Sequence, residues 1–548
     1  MSVPTHEVFN QPRPLVDYNL FERNRPLQAA LKLNAPRLDT AELLALGAEL
    51  GTRDMQTHAR LANLHTPQLR SHDRYGHRID EVEFHPSYHV LMAAATRAGL
   101  HGTPWTQPGP SPHVLRAAGF MLFTELEPSI LCPISMTYAV TPALRRNEAV
   151  YADWAPGLAS RGYDPQLRPW REKSAFTMGM GMTEKQGGSD VRSNTSDAVP
   201  DGEDNWGPRF RITGHKWFLS APMCDAFLVL ARAPGGLLSC FFLPRILPDG
   251  TRNAMHILRL KDKLGNRANA SSEVEFHGAI GWLVGEPGRG VPQILEMGTM
   301  TRMDCGLGTS GLMRQALSIA LDHTAQREAF GRRLIDQPAM RNVLADLALE
   351  SEAATALAMR VARAFDRASD EQERAIARVL TPISKFWICK RGSHFGQEAM
   401  ECLGGNGYVE ENGEGVMARI YREMPVNSIW EGAGNIMALD LLRATRKADA
   451  GAAIAQELAP AKGAHPALDT LAAALPARIE RMATESEARR LAQEVALAIQ
   501  AALLYQSAPG AVFDAFCASR LAGDWGQVFG TLPPGADFQA IITRAMPR

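Results

Sequence analysis

The sequence contains no run of 18 or more apolar residues, so no segment reads as a membrane-spanning helix. It contains no C-x-x-C pair. Cys132, Cys224, Cys240, Cys305, Cys389, Cys402 and Cys517 are scattered and odd in number, which argues against a zinc site and a disulfide framework. Reduced thiols are expected, with Cys240 and Cys389 buried in apolar runs. There is no excess of charge of either sign: 58 Lys plus Arg face 59 Asp plus Glu, so the chain is not a globally basic nucleic-acid binder. No repeat of the solenoid type is visible. The opening MSVPTHEVFNQPRPL has no basic-then-apolar leader pattern, and Glu7 and Asp17 run against a transit peptide, so a cytoplasmic protein is expected. His85, His89 and His101 lack metal-ligand spacing, and no metal site is expected.

What is present is material for several cores: 548 residues, 45% hydrophobic, or three to four domains at about 150 residues each. The first 175 residues read mostly as helices. Asp39 and Glu42 form a capping pair before Leu43–Leu50, and further helical runs follow Pro86 and Pro112. NQPRPLVDYNLF is too rich in Pro and Asn for a helix and reads as an extended arm. Strand-type runs then appear at Phe210–Thr213, Phe227–Ala231, Ser239–Leu243, Ile257–Leu260 and Val274–Phe276, punctuated by turn residues. Helical periodicity returns after Gly290, with Met297, Met300 and Met303 on a core face, and an Ala-rich helical tail begins near Lys447. Strands are segregated from helices, which excludes a doubly wound sheet. The expected fold is α+β and mainly α. It comprises an N-terminal helical domain with its arm (residues 1–180), a middle β domain (181–285), a helical bundle (286–446) and a C-terminal helical extension (447–548).

Gly306-Leu307-Gly308-Thr309-Ser310-Gly311 matches G-x-G-x-x-G, but its flanks read as helix and no strand precedes it, so close helix packing is the better reading. Met182-Thr183-Glu184-Lys185-Gln186-Gly187-Gly188-Ser189-Asp190 opens the β region. By spacing alone it reads as a tight surface turn rather than a loop admitting an anionic ligand.

Six motifs taken in order resolve this. Gly181-Met182-Thr183-Glu184…Gly188-Ser189-Asp190 and Glu401-Cys402-Leu403-Gly404-Gly405-Asn406-Gly407 resemble the two signatures of the acyl-CoA dehydrogenase family. Gly214–Ser220, Lys263–Arg267, Arg327–Gly331 and Trp430-Glu431-Gly432-Ala433-Gly434-Asn435 resemble the segments that accompany them. THEVFNQPRPL, RLKDKLGNRANAS and YREMPVNSIWEGAGN are similar to the AidB-like branch of bacterial alkylation-response flavoproteins, as is the tail beyond residue 446.

The resemblance implies that the middle domain (181–285) is a β barrel and the bundle (286–446) a four-helix bundle, and it implies FAD. Met182 and Thr183 would lie on the polar edge of the isoalloxazine, Gly188, Ser189 and Asp190 near the pyrophosphate, and Phe218, Leu219 and Ser220 beside the ring. Arg327 and Phe330, with Gly404 and Gly405, would hold the adenine-diphosphate half of a neighbouring subunit's FAD, which implies a homotetramer. Trp430, Gly432 and Asn435 would complete the cradle. Glu431 would be the base that removes a proton alpha to a thioester carbonyl while a hydride leaves the beta carbon for the flavin. Read alone, Glu431 fits a helix N-terminal charge better than a catalytic base. Departures from the family are Glu401 in a Gln place, Trp430 in a Tyr place and a longer Glu411–Ala418 segment.

The expected function is an FAD-containing acyl-CoA dehydrogenase-like enzyme. Its activity on short or branched acyl-CoA would be weak or unusual, and it would help protect DNA against alkylation. The alternatives are a DNA-associated flavoprotein with vestigial catalysis and an ordinary acyl-CoA dehydrogenase. Double-stranded DNA as partner would fall to Arg443, Arg446, Arg478, Arg481, Arg489 and Arg490. The tail is close to neutral, however, so a purely structural extension stays open.

Overall fold

The structure is a computed structural model that describes residues 5–107, 109–446, 449–481, 484–524 and 526–548. Lys447, expected to open the tail, lies outside the described residues.

Eight helices form the N-terminal part: α1 (Arg25–Asn34), α2 (Ala41–Leu50), α3 (Arg53–Leu64), α4 (Pro86–Arg97), the one-turn α5 (Thr103–Thr106), α6 (Pro112–Leu126), α7 (Leu131–Leu144) and α8 (Glu148–Leu158). Their starts follow local chemistry. Asn24, Thr52 and Asn147 cap α1, α3 and α8 through side-chain oxygens that accept free backbone N–H groups. The expected capping pair at α2 is not formed. Asp39 accepts from the Ala41 N–H at 2.9 Å, but Glu42 turns away to Arg161. A hairpin that the sequence reading did not contain, β1 (Gln68–His72) with β2 (Arg78–Glu83), interrupts these helices. Its residues are too polar to show an apolar alternation. It is held instead by Asp80, which accepts from Arg78 and from the Ile257 N–H, and by Arg245, which donates to Asp80 O at 2.7 Å.

The middle part holds β3 (Met178–Gly181), β4 (Asp197–Asp204), β5 (Gly207–Ser220), β6 (Ala226–Ala233), β7 (Leu237–Pro244), β8 (Met255–Leu260) and β9 (Ser271–Val284). Every strand run read from the sequence falls within one of these strands; β3 and β4 are additions. β3 begins three residues before the expected boundary. The sheet closes on itself. β5 pairs with β4 and β9, β9 with β7, β7 with β6, and β6 returns to β4 through Asp197 and Arg232. Phe227, Phe241 and Phe276 fill the interior, and Phe242, on the opposite face of β7, packs against Trp154 of α8.

The bundle contains α9 (Gly290–Gln326), a two-residue-stranded hairpin β10 (Glu328–Ala329) and β11 (Arg332–Arg333), α10 (Pro338–Asp366), α11 (Glu371–Glu401), the one-turn α12 (Gly405–Tyr408), α13 (Val416–Asn427) and α14 (Gly434–Thr445). The G-x-G-x-x-G segment lies buried inside α9. A Cβ on Gly311 would stand 2.6 Å from Met121 O, so the glycine serves close packing against α6. Met297, Met300 and Met303 are core.

The tail comprises α15 (Asp449–Leu458), α16 (Pro466–Glu480), α17 (Ala488–Ser507), α18 (Gly510–Phe516) and α19 (Phe538–Ala545). It is docked on the bundle by charge as well as by apolar contact. Arg520 is buried between Asp346 and Glu350, Arg360 bridges Glu457 and Glu373, and Arg544 meets Glu352 at 2.7 Å. All seven cysteines are free thiols. No described helix is long and apolar enough to cross a membrane.

Candidate active site

β3 passes so close to β5 that a Cβ on Gly181 would lie 2.7 Å from Leu219 Cδ1. Beyond the strand, Met182 O accepts from Asn194 Nδ2 (2.8 Å), and Thr183 O accepts from the Trp217 N–H (2.9 Å). Glu184 then turns inward and is fully buried. Its carboxylate accepts from Lys216 Nζ at 2.6 Å and from the Thr195 N–H at 2.7 Å, and Lys216 Nζ also donates to Leu230 O. Burial works against this charge, but Lys216 outweighs it and the carboxyl is held down at about 2. This strut fixes the turn that follows. A Cβ on Gly188 would lie 2.6 Å from Thr183 Oγ1, whereas Gly187 faces open space. Ser189 and Asp190 are exposed, and Asp190 accepts from the Arg192 N–H.

Strand alternation separates the three residues expected beside a flavin ring. Leu219 is fully buried and packs on Gly181, so its side chain belongs to the barrel interior. Phe218 is half-exposed, with Lys261 Nζ 4.6 Å from its ring centroid; the same ammonium lies 3.3 Å from that of Trp217. Ser220 meets Ser271 at 3.3 Å.

Glu431 lies in the link between α13 and α14 with a left-handed backbone, φ 58°. For a non-glycine residue this conformation persists only where neighbours impose it. Three groups do so. Arg302 Nε donates to Glu431 O (2.9 Å), the buried Lys385 Nζ donates to Gly432 O (2.7 Å) and Asn427 O (3.0 Å), and Trp430 Nε1 donates to Asn427 Oδ1. The carboxylate accepts from Thr301 Oγ1 at 2.7 Å. Burial pushes its pKa up, opposed by Thr301, Arg302 and Lys385. Cys132 joins this residue to the barrel. Its thiol is bonded by Ser220 and Asn269 and is raised to about 12, chiefly by burial and further by Glu431. Asn435 is exposed in the first turn of α14, whose Gly434 lies against Lys390.

Arg327, Phe330, Gly404 and Gly405 lie elsewhere. Thr301 and Arg327 are 26 residues apart at opposite parts of α9, about 39 Å along the helix. Phe330 and Gly331 form a two-residue turn with φ 53° and 76°, the geometry of a tight hairpin. Phe330 is 97% exposed at its tip. No atom lies within 4 Å of where a Cβ on Gly404 or Gly405 would stand. The arm ties these pieces together: Asn10 exchanges two hydrogen bonds with Glu328, Asn10 O accepts from Arg327, and Gln11 accepts from Asn406.

Of the candidate DNA contacts, Arg478 and Arg490 both pair with Glu494, and Arg443 pairs with Asp440. Arg489 lies over Phe386 and Arg481 bonds the Ala477 carbonyl. Arg446 is exposed. The predicted basic stripe is thus partly neutralised.

Sequence reasoning missed Thr301, Arg302, Lys385, Lys216 and Cys132 as supports of the site. Thr301 and Arg302 flank the G-x-G-x-x-G segment and carry no motif of their own. The donor set fits FAD. It offers an exposed aromatic beside a polar β edge, a loop with open glycine space, and Asn194 Oδ1 buried without a partner. Among the described residues no group of three or more His, Cys, Asp or Glu could hold a metal ion.

Residues 10–165 match the adaptive response protein AidB N-terminal domain, 179–279 the acyl-CoA dehydrogenase middle domain and 288–445 the acyl-CoA dehydrogenase C-terminal domain. AidB of Escherichia coli (strain K12) is 51% identical over 447 residues, 81% of each chain. Acyl-CoA dehydrogenase family member 11 of Caenorhabditis elegans is 30% identical over 455 residues, 79% of this chain and 72% of that one. The solved structure of Bd2924 in its apo form superposes with a TM-score of 0.82 at 30% identity, over 92% of this chain and 100% of that one. A Bacillus anthracis acyl-CoA dehydrogenase complexed with FAD shares the fold at a TM-score of 0.65 and 17% identity, over 96% and 91% of the two chains. The chain belongs to the acyl-CoA dehydrogenase family of FAD-dependent oxidoreductases that act on CH–CH groups, in its AidB-like branch.

Proposed function

We propose that this chain oxidises a short or branched acyl-CoA, weakly or with unusual specificity, with Glu431 as the base, and that it also helps protect DNA against alkylation in the cytoplasm. The observation that carries the enzymatic half is Glu431. It is a half-buried carboxylate with raised proton affinity, bonded by Thr301 and held in a left-handed backbone by Arg302 and Lys385. A base of this kind suits removal of a proton alpha to a thioester. FAD, when bound, supplies the two-electron acceptor. Met182, Thr183, Gly188, Ser189, Asp190, Phe218 and Ser220 hold it on the barrel side, and Trp430, Gly432 and Asn435 on the bundle side. Thr301 keeps the carboxylate oriented until substrate replaces that hydrogen bond.

Arg327, Phe330, Gly404 and Gly405 complete the site of a neighbouring subunit in a homotetramer. An aromatic side chain exposed at a hairpin tip and the distance along α9 support this reading. A second reading, a DNA-associated flavoprotein with vestigial catalysis, rests on Arg446, Arg481 and Arg489, none of which has a carboxylate partner among the contacts described above.

The test is anaerobic addition of a series of acyl-CoA esters while flavin absorbance is followed. Short or branched chains are expected to bleach the wild type. Glu431→Gln should retain FAD and slow bleaching by about 10²- to 10⁴-fold. Equal rates in the variant would place the base elsewhere. No bleaching by any chain would favour the second reading, and a colourless protein that cannot be reconstituted with FAD would end both.

A further inference from the structure

A half-open cavity of about 230 Å³ lies in the N-terminal helical part, between α2, α4 and α6, and contains none of the active-site residues. Its body is apolar, walled by Leu43, Leu46, Leu100 and Leu115, and Gly119 keeps it open. An aliphatic cavity of about 150 Å³ is enough to take up benzene, so this one accepts a ligand of benzoate or hexanoate size.

One end is different. Thr103 is 7% exposed, and its Oγ1 has no hydrogen-bond partner; Arg161 Nε is likewise buried and unpartnered. Both residues line the cavity and converge over Gly99, at 1.8 and 3.2 Å from where its Cβ would stand. The other cations here are engaged. Arg97 meets Glu49 at 2.5 Å, and Arg116 is bound to Asp304 and to Leu100 O. Arg161 is the slack member, with Gln107 at 3.2 Å and Glu42 only at 3.4 Å. A water at the polar end would satisfy the two donors but leave the leucine walls uncovered. A ligand with an acceptor at one end and a hydrocarbon body satisfies both.

We propose that this cavity binds a small carboxylic acid with an apolar body, its carboxylate accepting from Thr103 Oγ1 and Arg161 Nε and its body lying on Leu43, Leu46, Leu100 and Leu115.

Isothermal titration of the full-length protein with benzoate tests this, with benzyl alcohol (the body without the charge) and acetate (the charge without the body) as controls. Benzoate is expected to saturate one site per chain and to bind at least about tenfold tighter than either control, the worth of one charge-assisted hydrogen bond. Arg161→Gln should weaken benzoate about tenfold or more, and Thr103→Val should do the same. Glu431→Gln should change nothing, because it alters the active site alone. Should Thr103→Val fail to fold, the half-exposed Arg161 decides by itself. No saturable binding at millimolar benzoate, equal binding of benzyl alcohol, or loss of binding in Glu431→Gln would each overturn the proposal.

Discussion

Two glutamates of this protein are pushed in opposite directions by their surroundings. Glu184 is buried against Lys216 and its carboxyl is held far below the ordinary value of 4.5, at about 2. Its contribution to stability is present above pH 4.5 and is lost as pH falls from there towards 2. Lys216→Met would strand a buried carboxylate, and chemical unfolding at neutral pH should register a loss of about 3–5 kcal/mol. Glu431 is pushed up, because burial opposes its charged form. A carboxyl raised in the folded state favours folding below its unfolded value, and that advantage disappears as pH rises through the folded one. Glu431→Gln should therefore raise the melting temperature at neutral pH and leave it unchanged below about pH 4, where both forms are neutral. A melting temperature lowered at neutral pH would contradict the raised carboxyl.

Hairpin and arm act as a unit at the element scale. The Phe330-Gly331 turn is rigid because both residues hold left-handed geometry, and Asn10 clamps its base. Phe330→Ser removes the exposed ring without disturbing that clamp. FAD retention through gel filtration should fall, while the melting temperature of the apo protein should stay within about 1 °C, as for a surface substitution. Unchanged retention would remove this tip from the cofactor site. Three of the seven tail arginines dock the tail on the bundle at the same scale. Arg520, Arg544 and Arg548 face bundle carboxylates Asp346, Glu350, Glu352 and Asp322. That explains how a tail of balanced composition docks firmly, and why few of its charges remain for a partner.

At the scale of the whole molecule, the proposed assembly and the proposed DNA contact call for separate measurements. Light scattering should give about four times the 59.8 kDa chain mass; a monomer with full FAD would refute the shared site. Arg446→Glu, Arg481→Glu and Arg489→Glu together should abolish retardation of a random duplex at low salt. In the wild type, binding should fall steeply with salt, with up to about 0.9 of logarithmic slope per phosphate contact. Retardation that persists in the triple variant would move any DNA surface away from the tail.

The order of helices, sheet and bundle was legible in the sequence because periodicity and turn residues are local properties, whereas closure of the sheet depends on the long-range pairing of β6 with β4 and β7 with β9. The strand runs at Phe227–Ala231 and Ser239–Leu243, and the long α10 and α11, declare themselves by apolar spacing. The β1–β2 hairpin does not, since Gln68–His72 and Arg78–Glu83 alternate weakly and are held by Asp80 and Arg245 from far along the chain. Glu431 was legible as a motif letter, but its burial, strained backbone and raised proton affinity come from Thr301, Arg302 and Lys385 on other helices. Leu219 shows the same division: its sequence context points to a flavin contact, while the alternation of β5 turns its side chain into the barrel. The sequence by itself determined the family and most of the element types. Only the tertiary structure decided which charges are paired, because pairing depends on which distant side chains share a buried space, and spacing along the chain does not record that.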